Sequence, residues 1–267
     1  MRLIDSHCHL QAERFADDVD EVLAAARESG VERILVPGWN AWSSTAALEL
    51  VERVPWLDAA VGVHPHDADT VDDDEWAHIV QQARDERVVA IGETGLDYDR
   101  VFSPILAQLA NLRRNLALAV DTGKPVILHC RSRPGEREAQ DALLRELRAF
   151  GRDAPQAIVH SFSGPLDYAD AMLERGAVIS ISGLAFRSGE EATADAVRLA
   201  PLDRLLVETD SPFLSPPGAP RARNAPEWVA ITAQWVAETR TIDEEGLGDA
   251  LVATYDRVLG RWVGAAR

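Results

Sequence analysis

The sequence predicts an α/β protein, a (β/α)8 TIM barrel with an extra C-terminal helix, in one domain over residues 1–267. Three observations carry this reading. Eight short apolar runs recur along the chain, at residues 3–4, 34–36, 59–63, 88–91, 126–128, 157–159, 178–181 and 205–207. They are continuous rather than alternating, the pattern of parallel strands covered on both faces. The segments ended by these runs close at residues 9, 36, 63, 93, 129, 160, 182 and 209, so each strand-plus-helix unit takes roughly 30 residues. A chain of 267 residues also suits a barrel that typically needs about 250. The competing architecture, an open doubly wound sheet, would place Gly-x-Gly-x-x-Gly after an early strand, and none follows one here.

The elements follow in order. The first strand is expected to run from residue 3 to residue 9. Its His7 and His9, two apart, then face the same side and Cys8 the other. Residues 17–29 read as a helix stopped by Gly30. The third run leads into His64-Pro65-His66. The acidic cluster Asp72-Asp73-Asp74-Glu75 opens the next helix, where the macrodipole favours carboxylates, so its role is structural. Glu93 closes the fourth run, and residues 104–122 form a long helix ended by Gly123. His129, His160 and Asp210 close the fifth, sixth and eighth runs. A stiff Ser-Pro-Pro-Gly-Ala-Pro loop follows at 215–220, then an eighth helix over 225–238 and a further one over 243–263, packed outside the barrel.

Six of the seven histidines therefore stand at strand ends; only His78 does not. In such barrels the strand ends gather at one mouth, where the working residues sit. Imidazole nitrogen and carboxylate oxygen together suit a transition-metal dication. Glu93, with two histidines on either side in the strand order, can bridge two ions. The net charge of −17 argues against a broad nucleic-acid-binding face but not against a small site whose metal reverses the local sign. Cys8 and Cys130 are too few for a disulfide framework. They read as reduced core residues facing the helices. With no leader before Leu3 and no apolar run of membrane-spanning length, the expectation is a cytoplasmic protein that does not engage membranes.

These residues carry a family resemblance. Asp5-Ser6-His7-Cys8-His9-Leu10, Gly62-Val63-His64-Pro65-His66, Ile91-Gly92-Glu93-Thr94-Gly95-Leu96-Asp97-Tyr98, Leu128-His129-Cys130-Arg131, His160-Ser161-Phe162-Ser163-Gly164 and Glu208-Thr209-Asp210-Ser211-Pro212 resemble the signatures of the TatD family, in order and across nearly the whole chain. The resemblance implies a metal-dependent hydrolase of the amidohydrolase superfamily, of a kind described as deoxyribonucleases. It implies two divalent cations (Zn, Mg or Mn), one held by His7, His9 and Asp210, the other by His129 and His160, with Glu93 between them. Related barrels that bridge their metals with a carboxylated lysine offer no alternative. The only lysine, Lys124, precedes His129 by five residues, roughly 16 Å along a strand.

The sequence departs from the family pattern in places. Arg223-Asn224-Ala225-Pro226 lacks the acid usual at its third position, the long helix carries Asn111, Leu112 and Asn115 in place of a Phe and glutamines, and Arg187 stands where a Lys is common. The expected chemistry is hydrolysis of phosphodiesters at DNA or RNA ends, in the manner of a 3'-5' exonuclease, by a hydroxide bridging the two ions. Asp210 is expected to serve as acid/base, His64 to contact a phosphate oxygen, and His66 to be structural or solvent-facing. Arg131, Arg187 and Arg223 are candidate phosphate clamps. Nucleic acid ends would be transient partners of a monomer needing no obligate protein partner. Hydrolysis of a small amide, ester or lactone is the alternative, and a non-catalytic metal-binding protein a third class that the intact ligand set disfavours.

Overall fold

Hydrophobic run and strand coincide eight times. The computed structural model describes residues 1–260. β1 (Leu3–Asp5), β2 (Val31–Pro37), β3 (Leu57–Val61), β4 (Val88–Asp97), β5 (Val126–Arg131), β6 (Ala157–Val159), β7 (Val178–Ile181) and β8 (Leu205–Val207) form one parallel sheet in sequential order. Ser6 N–H donates to Val207 O at 3.0 Å, and Cys8 bridges in parallel to Ser211, so β8 meets β1 and the sheet curls into a barrel. The helices α1 (Val19–Glu28), α2 (Ala41–Arg53), α3 (Asp73–Gln82), α4 (Ile105–Thr122), α5 (Glu138–Ala149), α6 (Leu166–Glu174), α7 (Ala192–Leu199) and α8 (Val229–Arg240) alternate with the strands. α9 (Glu244–Leu259) adds the expected extra helix and packs against β1 and β8. Residues 261–263, at the end of the helix expected there, lie outside the described residues. No helix among the described residues is long and apolar enough to cross a membrane.

Local signals explain most boundaries. Asp72 caps α3 in a reciprocal box with Glu75, accepting from its N–H at 2.9 Å, which gives the acidic cluster its structural role. Gly123 ends α4 in the left-handed conformation at φ 67°. Lys124 donates to the carbonyls of Ala83 and Asp85 at 2.7 and 2.9 Å, at the end of the barrel away from His129. Cys8 and Cys130 are free and buried.

Several boundaries near the mouth differ from expectation. β1 stops at Asp5, so His7 and His9 belong to the turn beyond it. β3 stops at Val61, and His64 instead caps a 3-10 turn over Pro65–Asp67. A 3-10 turn over Pro226–Trp228 precedes α8, which starts later than expected. β4, by contrast, runs on to Asp97, with Glu93 inside it. Gly92 and Gly95 make this possible. They take φ of 135° and 144°, and a Cβ on Gly95 would lie 1.9 Å from the carbonyl oxygen of His129. The strand can lie this close to β5 around Glu93 only because Gly92 and Gly95 lack side chains.

Candidate metal centre

The mouth gathers its donors in two groups. Asp5, buried at the end of β1, accepts from Thr209 N–H at 2.9 Å and from His7 N–H at 3.3 Å, tying the two chain ends of the barrel together. Asp210 sits at φ +53°, uncommon for a non-glycine residue, and its N–H donates to His7 O at 2.9 Å. The first group follows. His7 Nε2 lies 3.2 Å from His9 Nε2, 3.2 Å from Glu93 Oε2 and 3.8 Å from Asp210 Oδ1. His9 Nε2 lies 3.6 Å from Glu93 Oε2 and 3.5 Å from Asp210 Oδ1. Ligand atoms about 2.1 Å from a tetrahedral ion stand roughly 3.4 Å apart, so these separations fit one.

The second group forms on the other oxygen of the same carboxylate. Glu93 Oε1 is 2.9 Å from His160 Nε2, 3.1 Å from His129 Nδ1 and 3.3 Å from His64 Nε2. His129 Nδ1 and His160 Nε2 are 3.2 Å apart.

Hydrogen bonds behind the rings decide which nitrogen is bare. His9 Nδ1 faces Pro37 O at 3.3 Å, His160 Nδ1 faces Glu208 Oε1 at 3.1 Å, and His129 Nε2 faces Asp97 Oδ2 at 3.3 Å. Each partner only accepts, so each of these nitrogens carries the hydrogen, and the neutral ring turns its lone pair toward Glu93. Lone pairs and a carboxylate converging without hydrogens repel one another unless a cation lies among them. His64 is reversed. Its Nδ1 accepts from His66 N–H at 3.1 Å, so the neutral ring carries its hydrogen on Nε2 and donates to Glu93. By this test His9, His129 and His160 are set up as ligands, and His64 as a donor beside them. His7 Nδ1 has no hydrogen-bond partner.

Charge follows the same plan. Burial alone would raise the Glu93 carboxyl, but His160, His64 and His7 outweigh it and hold it well below the usual carboxylate range. Burial is likewise overcome at Asp210, lowered chiefly by the His9 hydrogen bond, and at Asp97, lowered by His129 and His66. Desolvation lowers His64 to about 4, which keeps it in the neutral form its tautomer requires. His160 goes the other way: burial opposes its charge, yet Glu93 and Glu208 raise it. The neutral ring with Nε2 bare is therefore the form it would take with a cation in place of that proton.

A cavity of roughly 980 Å³ opens over these groups, lined by His9, His64, Glu93, His129, His160 and Asp210 among others. Three sets of residues, His7-His9-Glu93, His7-His160-Asp210 and His64-Glu93-His129, bring ligand atoms close enough to hold a metal ion. The chain matches the family described as TatD related DNase over residues 4–260. This chain belongs to the TatD family. It is 35% identical over 256 residues to an uncharacterized metal-dependent hydrolase, YabD, of Bacillus subtilis, covering 96% of this chain and 98% of the relative. It is 36% identical over 254 residues to the 3'-5' ssDNA/RNA exonuclease TatD of Edwardsiella piscicida, covering 92% and 94%. Among solved structures, the TatD homologue YjjV of Escherichia coli superposes with a TM-score of 0.87 at 30% identity, covering 97% and 98%.

Against the TatD pattern, the departures find their places. Asn111, on α4, donates to Val63 O at 2.7 Å and so supports the loop bearing His64. Asn224 donates to Thr209 O at 2.9 Å, bracing Asp210 from below, while Ala225 is buried in the core. Arg131 lines the cavity with its Nε on Asp99 at 2.8 Å, and Arg187 lines it exposed. Arg223, the third candidate clamp, stands apart from the other two. Its guanidinium forks onto both oxygens of Asp18 at 2.7 and 2.6 Å and lies over Phe15, outside the cavity lining. His66 donates to Asp97 at 2.7 Å, a structural role at the cavity edge.

Sequence reasoning missed Asp97, Glu208 and Asp5 as the carboxylates behind the ligands, and Arg100 and Arg133 on the cavity wall. A signal existed for the first. Asp97 follows Glu93 by four, an even offset that keeps side chains on one face of a strand.

Proposed function

We propose that this TatD-family protein removes nucleotides from the 3' ends of single-stranded DNA or RNA, using two divalent cations, Zn, Mg or Mn. The observation that carries the two-ion reading is the division of Glu93: Oε2 faces His7 and His9, Oε1 faces His129 and His160. His7, His9, Asp210 and Glu93 Oε2 would hold one cation, and His129, His160 and Glu93 Oε1 the other. Such a pair supplies acidification of a water and neutralisation of charge on the phosphoryl oxygens. The name of the Edwardsiella relative supports the substrate class.

The chain's own residues do the rest. Asp210, ionised and facing the cavity, takes a proton from the attacking water on its carboxylate and returns it to the leaving 3'-oxygen. His64 Nε2–H, held in that tautomer from behind, donates to a phosphoryl oxygen as negative charge grows there. Arg131 and Arg187 hold the next phosphates. With a net charge of −17 and the metal-binding groups at the floor of a cavity, a flexible end is the part of a polyanion that enters. We read the protein as a cytoplasmic monomer of one domain, without an obligate protein partner.

The test is a panel of end-labelled single strands, duplex DNA, RNA, and chromogenic phosphodiesters and esters, each with Mg, Mn and Zn. Stepwise shortening of a 5'-labelled single strand is expected. Turnover of an ester or lactone, with no phosphodiester cut under any metal, would hand the assignment to the small-molecule hydrolase.

A further inference from the structure

The exposed aromatic side chains of the described residues are gathered at one place. Among the described residues the exposed large aromatics are Trp42 (62%), Phe102 (66%) and Phe213 (53%). All three connect by ring contacts to histidines of the mouth. Phe213 stands 6.2 Å from His9, and Phe102 4.7 Å from His66. Trp42 stands 6.0 Å from Trp39, whose ring lies 5.2 Å from His9. Apolar area left in water forgoes about 25 cal/mol per Å², and contiguous exposed apolar surface marks a place where something binds.

Strand order fixes where these rings stand. Trp39 follows β2 and Phe213 follows β8, so they flank β1 on either side of His9, and both line the cavity. Arg131 ends β5 and Arg133 follows it, four strands around the ring from β1 and therefore across the cavity. The guanidinium groups of Arg133 and Arg187 have no side-chain partner among the described residues. One wall of the cavity thus offers flat apolar faces, and the other offers guanidinium groups, Arg131 on Asp99 and Arg133 without a side-chain partner, with Glu136 and Glu190 beside them. An unpaired nucleic acid strand has that same division, with bases on one edge and phosphates on the other. A duplex does not, because its bases are already stacked on one another.

The geometry points to a base-stacking platform: the terminal bases of an unpaired strand stack on Trp39 and Phe213 while its phosphates track the arginine wall. This rests on the exonuclease reading and adds to it the residues that select a single strand. Base–aromatic stacking tolerates any base, because each has a π-face, so the platform grips an end without reading its sequence.

Binding tests it independently of cleavage. A labelled thymidine oligonucleotide with phosphorothioate linkages is compared, by fluorescence anisotropy on metal-loaded protein, with the same strand ending in two abasic residues. The base-bearing strand is expected to bind roughly 5- to 100-fold tighter, the range for one or more stacked bases. Trp39→Ala and Phe213→Ala should each shrink that ratio, and the double variant should bring it close to one. Trp39→Phe, which keeps a ring, should retain most of it at full metal content. A wild-type ratio near one overturns the proposal, as does a ratio unchanged in the double variant or one that falls only where metal is also lost. Failure of the exonuclease reading would show elsewhere, as an unprotected strand left intact under every metal.

Discussion

At the floor of the cavity, His7 and Glu93 are 0% and 2% exposed, and His9, His129 and His160 are each pinned from behind by a carbonyl or carboxylate. At the rim, Phe213 is 53% exposed, and Arg133 and Arg187 reach into solvent unpaired. The two regions lie within one cavity, yet the first is buried and held by hydrogen bonds and the second is exposed, its side chains free of them. The difference corresponds to a division of labour. Chemistry on a phosphodiester needs donors fixed before substrate arrives, whereas gripping ends of any sequence benefits from side chains that adapt. Substitutions at the floor should therefore act on metal and turnover, and those at the rim on affinity and salt dependence.

The largest effect should come from Glu93, the residue shared by both halves of the floor. Glu93→Gln keeps the shape but removes the bridging charge. Loss of several kcal/mol of charge stabilisation corresponds to a fall of roughly 10³-fold in turnover. Elemental analysis should show wild-type protein approaching two equivalents of metal and the variant retaining less. A plateau at one equivalent in the wild type removes the bridge. Saturating metal at about 100 Kd should add about 2.7 kcal/mol to stability, so a chelator should lower Tm in wild type and do less in Glu93→Gln.

Asp210→Asn sharpens the comparison, because Asp210 is both ligand and proton carrier in the proposed reaction. Turnover should fall about 10²- to 10⁴-fold, the usual range for a general acid–base, with a smaller loss of metal than in Glu93→Gln. Wild-type turnover at full metal content would remove its acid–base role. A step further back, Glu208 touches neither cavity nor substrate. Glu208→Gln keeps an acceptor for His160 Nδ1 without the charge, and Glu208→Ala removes both. Metal affinity should fall by about 10-fold and about 100-fold respectively, measured by competition with a chromophoric chelator. Equal affinities in the two variants would mean that charge, not the hold on the ring, is what Glu208 supplies.

The same floor and rim differ in how far the sequence revealed them. The eight strands were legible because a strand covered on both faces must be apolar throughout, and the ligands because strand ends of a barrel meet. His64 was placed at a strand end but lies beyond β3, since Pro65 starts a 3-10 turn there. The tautomers were hidden, for they depend on acceptors such as Pro37 O and Glu208, remote in sequence from the rings they fix. Arg223 reads like any other candidate clamp until the fold supplies Asp18, 205 residues away. Trp39 reads equally well as a core aromatic, and only its place beside His9 sets it apart.

The smallest effect belongs to the rim and is read on a slope rather than a rate. A chain of net charge −17 meets a polyanion with long-range repulsion, offset only where the arginines and bound cations face the strand. It should therefore engage few phosphates. Each phosphate neutralised contributes about −0.7 to the slope of log affinity against log salt for a single strand, so a total between roughly −1 and −3 is expected. Arg187→Ala should flatten that slope by about 0.7 and leave metal content at the wild-type level. Arg223→Ala should leave the slope unchanged, because that guanidinium is already spoken for by Asp18. A steep slope with nicking of closed circular duplex would require a broad basic face that this chain lacks. If instead Arg223→Ala flattened the slope and Arg187→Ala did not, the Arg223–Asp18 fork would have to open on binding, and the boundary between floor and rim would be misplaced on that side of the mouth.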